Sequence, residues 1–495
     1  MNSKIILVTL IALIFNITSD AQNITDVVRY SVLDPAGTAR TMGVGSAFGA
    51  MGGDFSVINI NPAGIADFRK SDFTFTPSLR NQQTTSFFVA DAESINRDKS
   101  SKLGLDNIGF VIARQPSNSK WTTSNFAFGF SRMADFNRNA TLRGSTAGSI
   151  TTYFAEKANG KSEAELDDFI AFPAYNTGAI FDFDKDNFYE TDFPNAEAKV
   201  LRAQSISQTG GINELTFGWA GEYNRALNLG VSMGVPFANF NELKIYREDN
   251  IDPDNRTFES LQYTENLNTS SVGFNFKLGM TYKILNRIRI AGAFHSPTWF
   301  KFTDNYKTNM NYTFTDTQLN SFDKESPDGN FEYNITTPWR VVGSLGSTYK
   351  IGEIVGFINA DIEQLDYTNA SYNGNRYSGT VAEAIYTREV NRQITNKLGK
   401  ATNVRLGTEF GYKYLRLRFG YSWEQSPFNA DDFSNNRLSY GFGVRMDDFY
   451  IDLGIRRFNF TQGYNPYTVL DSRLDPLANI QTVRNNAALT VGFKF

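Results

Sequence analysis

The sequence predicts an all-β fold: a transmembrane antiparallel β-barrel of about 14 strands with an N-terminal plug inside the lumen. Three observations predict it. Apolar residues recur at every second position in paired runs, as strands with one lipid-facing side require. The chain is 14% aromatic yet has a mean hydropathy of only −0.35, so its apolar side chains are gathered on faces rather than in continuous segments. Tight turns alternate with long polar connections, which assigns the two kinds of connection to opposite rims of a barrel.

Composition removes several classes of function. Lys+Arg 48 against Asp+Glu 52 gives a net charge of −4, so no basic field exists to hold nucleic acid. With no cysteine and one histidine, disulfide scaffolds, thiolate metal sites and multi-histidine centres are excluded. No metal, cofactor or catalytic residue is expected. The sole histidine, His295, precedes Ser296 on a strand, where neighbours face opposite sides, so the two cannot form a local dyad.

The elements follow in order. Lys4, an apolar run from Ile5 to Phe15 and the small-residue site Ser19-Asp20-Ala21 read as a secretory signal over 1–21, with the mature chain starting at Gln22. Residues 22–70 form the expected plug. Between Gly37 and Gly64 glycine stands at 37, 43, 45, 49, 52, 53 and 64, which suits a segment packed closely against walls. Within it, Pro62 fixes its own φ, Asn61 can bond nearby backbone, and Gly64 is expected to supply a left-handed bend.

Residues 71–495 form the barrel. A first strand is expected near Asp72 to Leu79, followed by six hairpins. These join 107–113 to 125–133, 215–223 to 227–233, and 272–282 to 288–294 near Asn286-Arg287. The others join 339–349 to 354–362, 404–412 to 415–423, and 438–446 to 449–455 across Asp447-Asp448. The final strand alternates through Leu489, Val491 and Phe493 to a terminal Phe495, the pattern by which barrel assembly machinery recognises its clients. The connections 134–211, 237–268, 297–335, 366–400, 425–436 and 459–485 are polar and are expected to be long loops, 134–211 the longest. Gly129, inside a strand, is the expected weak point of the wall. Positions alternate to the apolar ones carry both charges, among them Lys277, Arg340, Arg405, Arg418 and Arg445 with Glu214, Glu363, Glu409 and Asp452. These are expected to pair across the lumen, and Arg340 or Arg405 is a candidate for a ligand headgroup because arginine presents a planar fork.

Ser46-Ala47-Phe48-Gly49-Ala50-Met51-Gly52-Gly53-Asp54 followed by Asn59-Ile60-Asn61-Pro62-Ala63-Gly64 resembles the N-terminal hatch of the FadL/TodX family of outer-membrane transporters for long-chain fatty acids and other hydrophobic compounds. Further matches are Asn213-Glu214, His295-Ser296-Pro297-Thr298, Thr337-Pro338-Trp339-Arg340 and Asp366-Tyr367-Thr368-Asn369-Ala370, in family order along the mature chain. The resemblance implies a monomeric 14-stranded barrel in the outer membrane of a Gram-negative bacterium, with outer-membrane lipids around it. It also implies capture of a hydrophobic small-molecule ligand at the outer loops, passage to an internal pocket and exit through a gap in the wall. On that reading Phe169, Phe172 and Phe181, with Phe154 and Phe188, are candidate capture contacts on 134–211. A barrel of the same fold serving as a scaffold or docking partner in secretion or surface assembly is the alternative.

Overall fold

The computed structural model describes residues 20–193, 198–284, 287–316, 320–374, 380–430 and 434–495. The expected signal as far as residue 19, and Asn286 at an expected turn, lie outside the described residues. The strands are β1 (Asp72–Phe88), β2 (Asp91–Ile112), β3 (Trp121–Asp135), β4 (Arg138–Ala147), β5 (Lys199–Tyr223), β6 (Leu227–Asn250) and β7 (Phe258–Ile284). Next come β8 (Ile288–His295), β9 (Trp299–Phe314), β10 (Ser321–Glu325), β11 (Gly329–Thr336), β12 (Arg340–Ile351), β13 (Ile354–Asp366) and β14 (Ser371–Gly374). The last are β15 (Lys400–Tyr412), β16 (Leu415–Gln425), β17 (Ser434–Arg445), β18 (Phe449–Tyr464) and β19 (Ala478–Lys494).

Fourteen of these close a ring in the order β1, β2, β3, β5, β6, β7, β8, β12, β13, β15, β16, β17, β18, β19, and β19 returns to β1 from Asp72↔Lys494 to Phe88↔Ala478. Closure leaves lipid no open sheet edge at the base of the wall. The short turns are where alternation puts them. Asn224 and Arg225 have φ of 50° and 58°, the consecutive positive pair of a two-residue hairpin, and Lys413 turns the next such hairpin at φ 50°. Leu215, Phe217, Leu417, Phe419, Tyr440, Phe442 and Leu489 stand exposed on the outer face while their strand neighbours point inward. No helix among the described residues is long and apolar enough to cross a membrane; the strands do so, and the chain is an outer-membrane barrel.

The expected long loops are largely strand. The β1–β2 hairpin turns at Val89-Ala90, and β6 and β7 continue to Asn250 and from Phe258, so the 237–268 connection shrinks to 251–257. The 297–335 connection is mostly β9, β10 and β11. The reason is physical: above the bilayer both faces of a sheet can be polar, so backbone pairing persists after lipid-driven alternation has ended. On the same rim, α3 (Ile150–Ala158) and α4 (Ala171–Asn176), numbered after the two helices of the N-terminal segment, pack with Tyr246, Phe258 and Tyr312 into a small subdomain. Phe154 is fully buried at its centre, so it is core and not a capture contact.

The segment before β1 is folded inside the ring. It comprises α1 (Asp20–Ser31), α2 (Ala39–Gly43) and two 3₁₀ turns, Phe55–Asn59 and Pro62–Asp67. Val44, Phe48, Phe55, Val57, Ile58 and Ile65 are buried against wall residues Val111, Ala127, Ala220 and Ala291. Burial of each large apolar side chain is worth about 1.5–3 kcal/mol, enough in sum to hold the segment in place. Another helix, α5 (Val381–Lys397), packs over α1 at the long rim.

Candidate functional site

The corner Asn61-Pro62-Ala63-Gly64 is seated on the wall. Asn61 caps the 3₁₀ turn, its Oδ1 accepting from Ala63 N at 3.2 Å, while Nδ2 donates to Gly49 O at 2.7 Å and to Thr281 Oγ1 on β7 at 3.0 Å. Beneath it lie Gly230 and Gly279, opposed across β6 and β7. A Cβ at Gly230 would stand 2.5 Å from Ala63 N, and one at Gly279 would strike Asn61 Oδ1, so two wall glycines create the seat. Gly64 does not take the expected left-handed bend; positive φ falls at Gly37, Gly45, Ser46 and Gly53. Its side chain is excluded by packing instead, since a Cβ would meet Val57 Cγ2 at 2.7 Å.

Above this seat the lumen holds a cavity of about 50 Å³, lined in part by Asp34, Lys277, His295, Arg340, Glu363 and Arg405. That is room for a few waters and not for a long alkyl chain. Arg340 and Arg405 converge there, but both are engaged by one carboxylate: Arg340 Nη1 lies 3.3 Å from Glu363 Oε1, and Arg405 Nη2 pairs with Oε2. Arg340 also donates to Ser31 O at 2.9 Å, tying the wall to the end of α1. Asp34 sits between Arg437 (2.8 Å) and Arg456 (2.7 Å); burial alone would raise its carboxyl, but the two guanidiniums outweigh that and hold it down at about 2. His295 Nε2 faces Ile60 O at 2.9 Å, and Ser296 Oγ accepts from Phe276 N at 2.9 Å, so neither addresses the other.

The apolar part of the lumen lies higher and is occupied by α1. Ile24, Val27 and Tyr30 are buried against Phe240, Phe300, Phe302, Tyr333 and Tyr372, roofed by Val390 and Ile394 of α5. Tyr30 meets Phe302 at 4.4 Å between ring centres, and the Arg29 guanidinium lies 3.9 Å over the Phe240 ring. This chamber reaches Met133, which also lines the polar cavity.

The wall is incomplete beside Met133. β2 pairs with β3 only from Asn107↔Ser131 to Ile112↔Phe126. Gly129 lies within that ladder, opposite Gly109 and Thr216, so the break is not at the expected position but directly above it. There a bulge interrupts β3 between Arg132 and Ala134. Just beyond, Arg138 stands half-buried with no hydrogen bond or ion pair among the described residues, its Nε enclosed.

The remaining candidates lie on the rims. Phe169 packs on Tyr306 at 5.4 Å between ring centres, Phe172 lies under the Lys324 ammonium at 5.2 Å, and Phe181 contacts Phe183 at 4.5 Å. Phe183 and Phe188 are the exposed aromatics of this subdomain, at 78% and 63%. Phe495 exchanges backbone hydrogen bonds with Ser71, both at 3.0 Å, closing the ring beside β1. The chamber residues Phe240, Phe300, Phe302 and Tyr333 and the free Arg138 were not expected from sequence. All five fall in connections that read as polar loops.

No protein-family model matches the sequence, and no curated relative matches it. Solved structures do resemble it. The Pseudomonas putida toluene transporter TodX superposes with a TM-score of 0.51 at 12% identity, over 93% of this chain and 99% of that one. A Pseudomonas aeruginosa FadL homologue gives 0.50 at 12% identity over 93% and 99%, and the Ralstonia pickettii toluene transporter TbuX gives 0.50 at 11% over 92% and 98%. The chain therefore has the fold of the FadL-type channels.

Proposed function

We propose that the protein takes up hydrophobic small molecules across the outer membrane, with residues 22–70 closing the lumen and the chamber around α1 serving as the internal binding pocket. The observation that carries this reading is the chamber itself. A conduit for polar solutes gains nothing from a ring of buried aromatics above a polar waist, whereas apolar cargo is drawn into such a site. The similar solved structures, toluene transporters among them, support the same class of cargo.

Burying a methylene is worth about 0.8 kcal/mol, so a dozen gain roughly 10 kcal/mol before losses. One charge-assisted hydrogen bond adds about 1.5–3 kcal/mol. Apolar lining then sets affinity, and an inward arginine orients any polar end. Arg340 and Arg405 would do so only by releasing Glu363; Arg138 has no such bond to break. Cargo would displace α1, whose apolar residues now fill the chamber, and leave through the break beside Met133. Phe169, Phe172 and Phe181 would offer the first apolar contacts, and Phe495 the signal to the assembly machinery.

The test is binding to the purified, folded protein. Long-chain amphiphiles and aromatic hydrocarbons are expected to bind and to raise protease sensitivity of α1. Equal affinity for short polar solutes, or binding that leaves α1 fully protected, would overturn the assignment.

A further inference from the structure

We propose that three carboxylates of β2, Asp91, Asp98 and Asp106, form a side-chain latch that closes the break in the wall, so that this seam opens and shuts without unravelling the sheet. The proposal rests on the uptake reading for its purpose and on the geometry of the seam for its mechanism.

The two edges of the seam are each half-satisfied. From Asp91 to Leu105, β2 is paired with β1, and on the other side β3 and β4 are paired with β5 as far as Ala147↔Lys199. No backbone hydrogen bond joins β2 above Asn107 to β3 or β4 among the described residues. Two parallel edges with free N–H groups would ordinarily zip into a ladder or be covered. Here side chains take the place of the ladder. Asp98 Oδ2 accepts from Thr141 N at 2.7 Å and its Oδ1 from Thr141 Oγ1 at 3.1 Å. Asp91 Oδ2 accepts from Ser145 N at 2.9 Å. Thr141 and Ser145 are four residues apart on β4, so their N–H groups face the same way, and Asp91 and Asp98 meet them in the antiparallel sense. At the foot of the seam Arg132 Nε and Nη2 donate to Asp106 Oδ1 at 3.1 and 2.8 Å.

This arrangement differs from a ladder in the way a latch differs from a weld. A backbone ladder yields cooperatively, because each pair fixes the register of the next. Carboxylate bonds to single N–H groups break one at a time, and β4 keeps its shape when they do, since its ten pairs with β5 are untouched. The approach is close: a Cβ at Gly144 would lie 3.0 Å from Asp91 Oδ2 and 3.1 Å from Phe88 Cδ2, so a glycine lets β4 come within reach of the β1–β2 hairpin.

Position gives the latch its use. Leu79 and Leu103, paired across β1 and β2, stand exposed on the outer face at 39% and 83%, which marks the seam's foot as lipid-facing. On the inner side Met133 belongs to both the apolar chamber and the polar cavity. The foot of the seam is therefore the part of the wall between chamber and lipid that is held by side chains alone.

The test uses the full-length protein in lipid nanodiscs, with amide hydrogen exchange as a readout that needs no cargo. In Asp91→Ala/Asp98→Ala, exchange at Thr141 and Ser145 is expected to rise by about tenfold or more, the loss of one such bond, while amides of β5 stay protected. Asp98→Asn, which keeps an acceptor without the charge, should fall between. Unchanged exchange at Thr141 and Ser145 in the double variant overturns the latch, and so does equal deprotection of β5, which would mean the sheet itself had loosened. A disulfide from Asp98→Cys with Thr141→Cys should hold the seam shut, stopping uptake until it is reduced; uptake unaffected by the crosslink removes the seam as the exit. If the native protein takes up no hydrophobic compound at all, the uptake reading fails, and the exchange result still decides the latch.

Discussion

Asn61→Ala tests whether the N-terminal segment closes the lumen. The substitution removes the donor to Gly49 O and Thr281 Oγ1 and the acceptor for Ala63 N, all three in buried residues. A buried backbone group left without a partner costs about 1–3 kcal/mol, so stranding Gly49 O and Ala63 N weakens the seat by roughly 3 kcal/mol. At 1.4 kcal/mol per tenfold, that is about a hundredfold rise in the unseated population. Gly279→Ala attacks the same seat from the wall, where the new Cβ would strike Asn61 Oδ1, and Gly343→Ala is the matched control, because a Cβ there meets nothing within 4 Å. The assay is conductance in planar bilayers on protein whose folding is verified by heat-modifiable migration. Asn61→Ala and Gly279→Ala should show frequent ion-conducting openings and Gly343→Ala none. A folded, inserted Asn61→Ala protein as tightly closed as the native one would refute the reasoning, and so would leak that is equal in all three.

Glu409 accepts from Arg40 of the N-terminal segment, twice at 3.0 Å, and from Arg418 of the wall at 2.6 Å; Glu409→Ala strands Arg40, while Arg418 keeps Asp452 at 2.7 Å, and should cost about 3 kcal/mol, read as a lower unfolding temperature that Glu409→Gln partly restores. Asp34 has a carboxyl held at about 2 by Arg437 and Arg456, so its contribution is complete above the unfolded value near 4 and is lost as the pH falls towards 2. Protease sensitivity of residues 22–34 should rise across that window, and Asp34→Asn should show the sensitive state at every pH. Trypsin applied to intact cells should cut after Lys185, which stands at φ 57° in the exposed turn between Phe183 and Phe188, and should spare the Asp447-Asp448 side; cleavage only after the outer membrane is breached would reverse the assigned orientation.

The membrane wall was legible because lipid imposes one rule on every strand, apolar outward and polar inward, and the turns must then be short. Asn224-Arg225 and Lys413-Tyr414 follow directly from it. The seat at Asn61 was legible as a corner but not as a contact, because nothing in the sequence says that Gly230 and Gly279 lie opposite each other beneath it. Arg340 and Arg405 could be placed on the inner face, yet their capture by Glu363 depends on the pairing of β12, β13 and β15, which alternation alone does not specify. The latch was invisible for a related reason: a carboxylate facing a backbone N–H leaves no periodic mark.

The chamber did leave a mark, in the parity of the apolar positions. Along β6, Val231, Met233, Val235 and Phe237 are exposed at odd positions, and then Phe240 and Tyr246 are buried at even ones. On β9 the even positions Phe300 and Phe302 are buried while Lys301 between them is exposed. No bulge is needed on β6 for this change. The strand keeps its geometry and its surroundings invert: within the bilayer the apolar side is outside, and above it water is outside and the apolar side lies within. A switch in parity along an unbroken strand therefore marks where the barrel leaves the membrane and where it begins to enclose an apolar space. Lipid requires the first parity, and the buried apolar face of α1 accounts for the second.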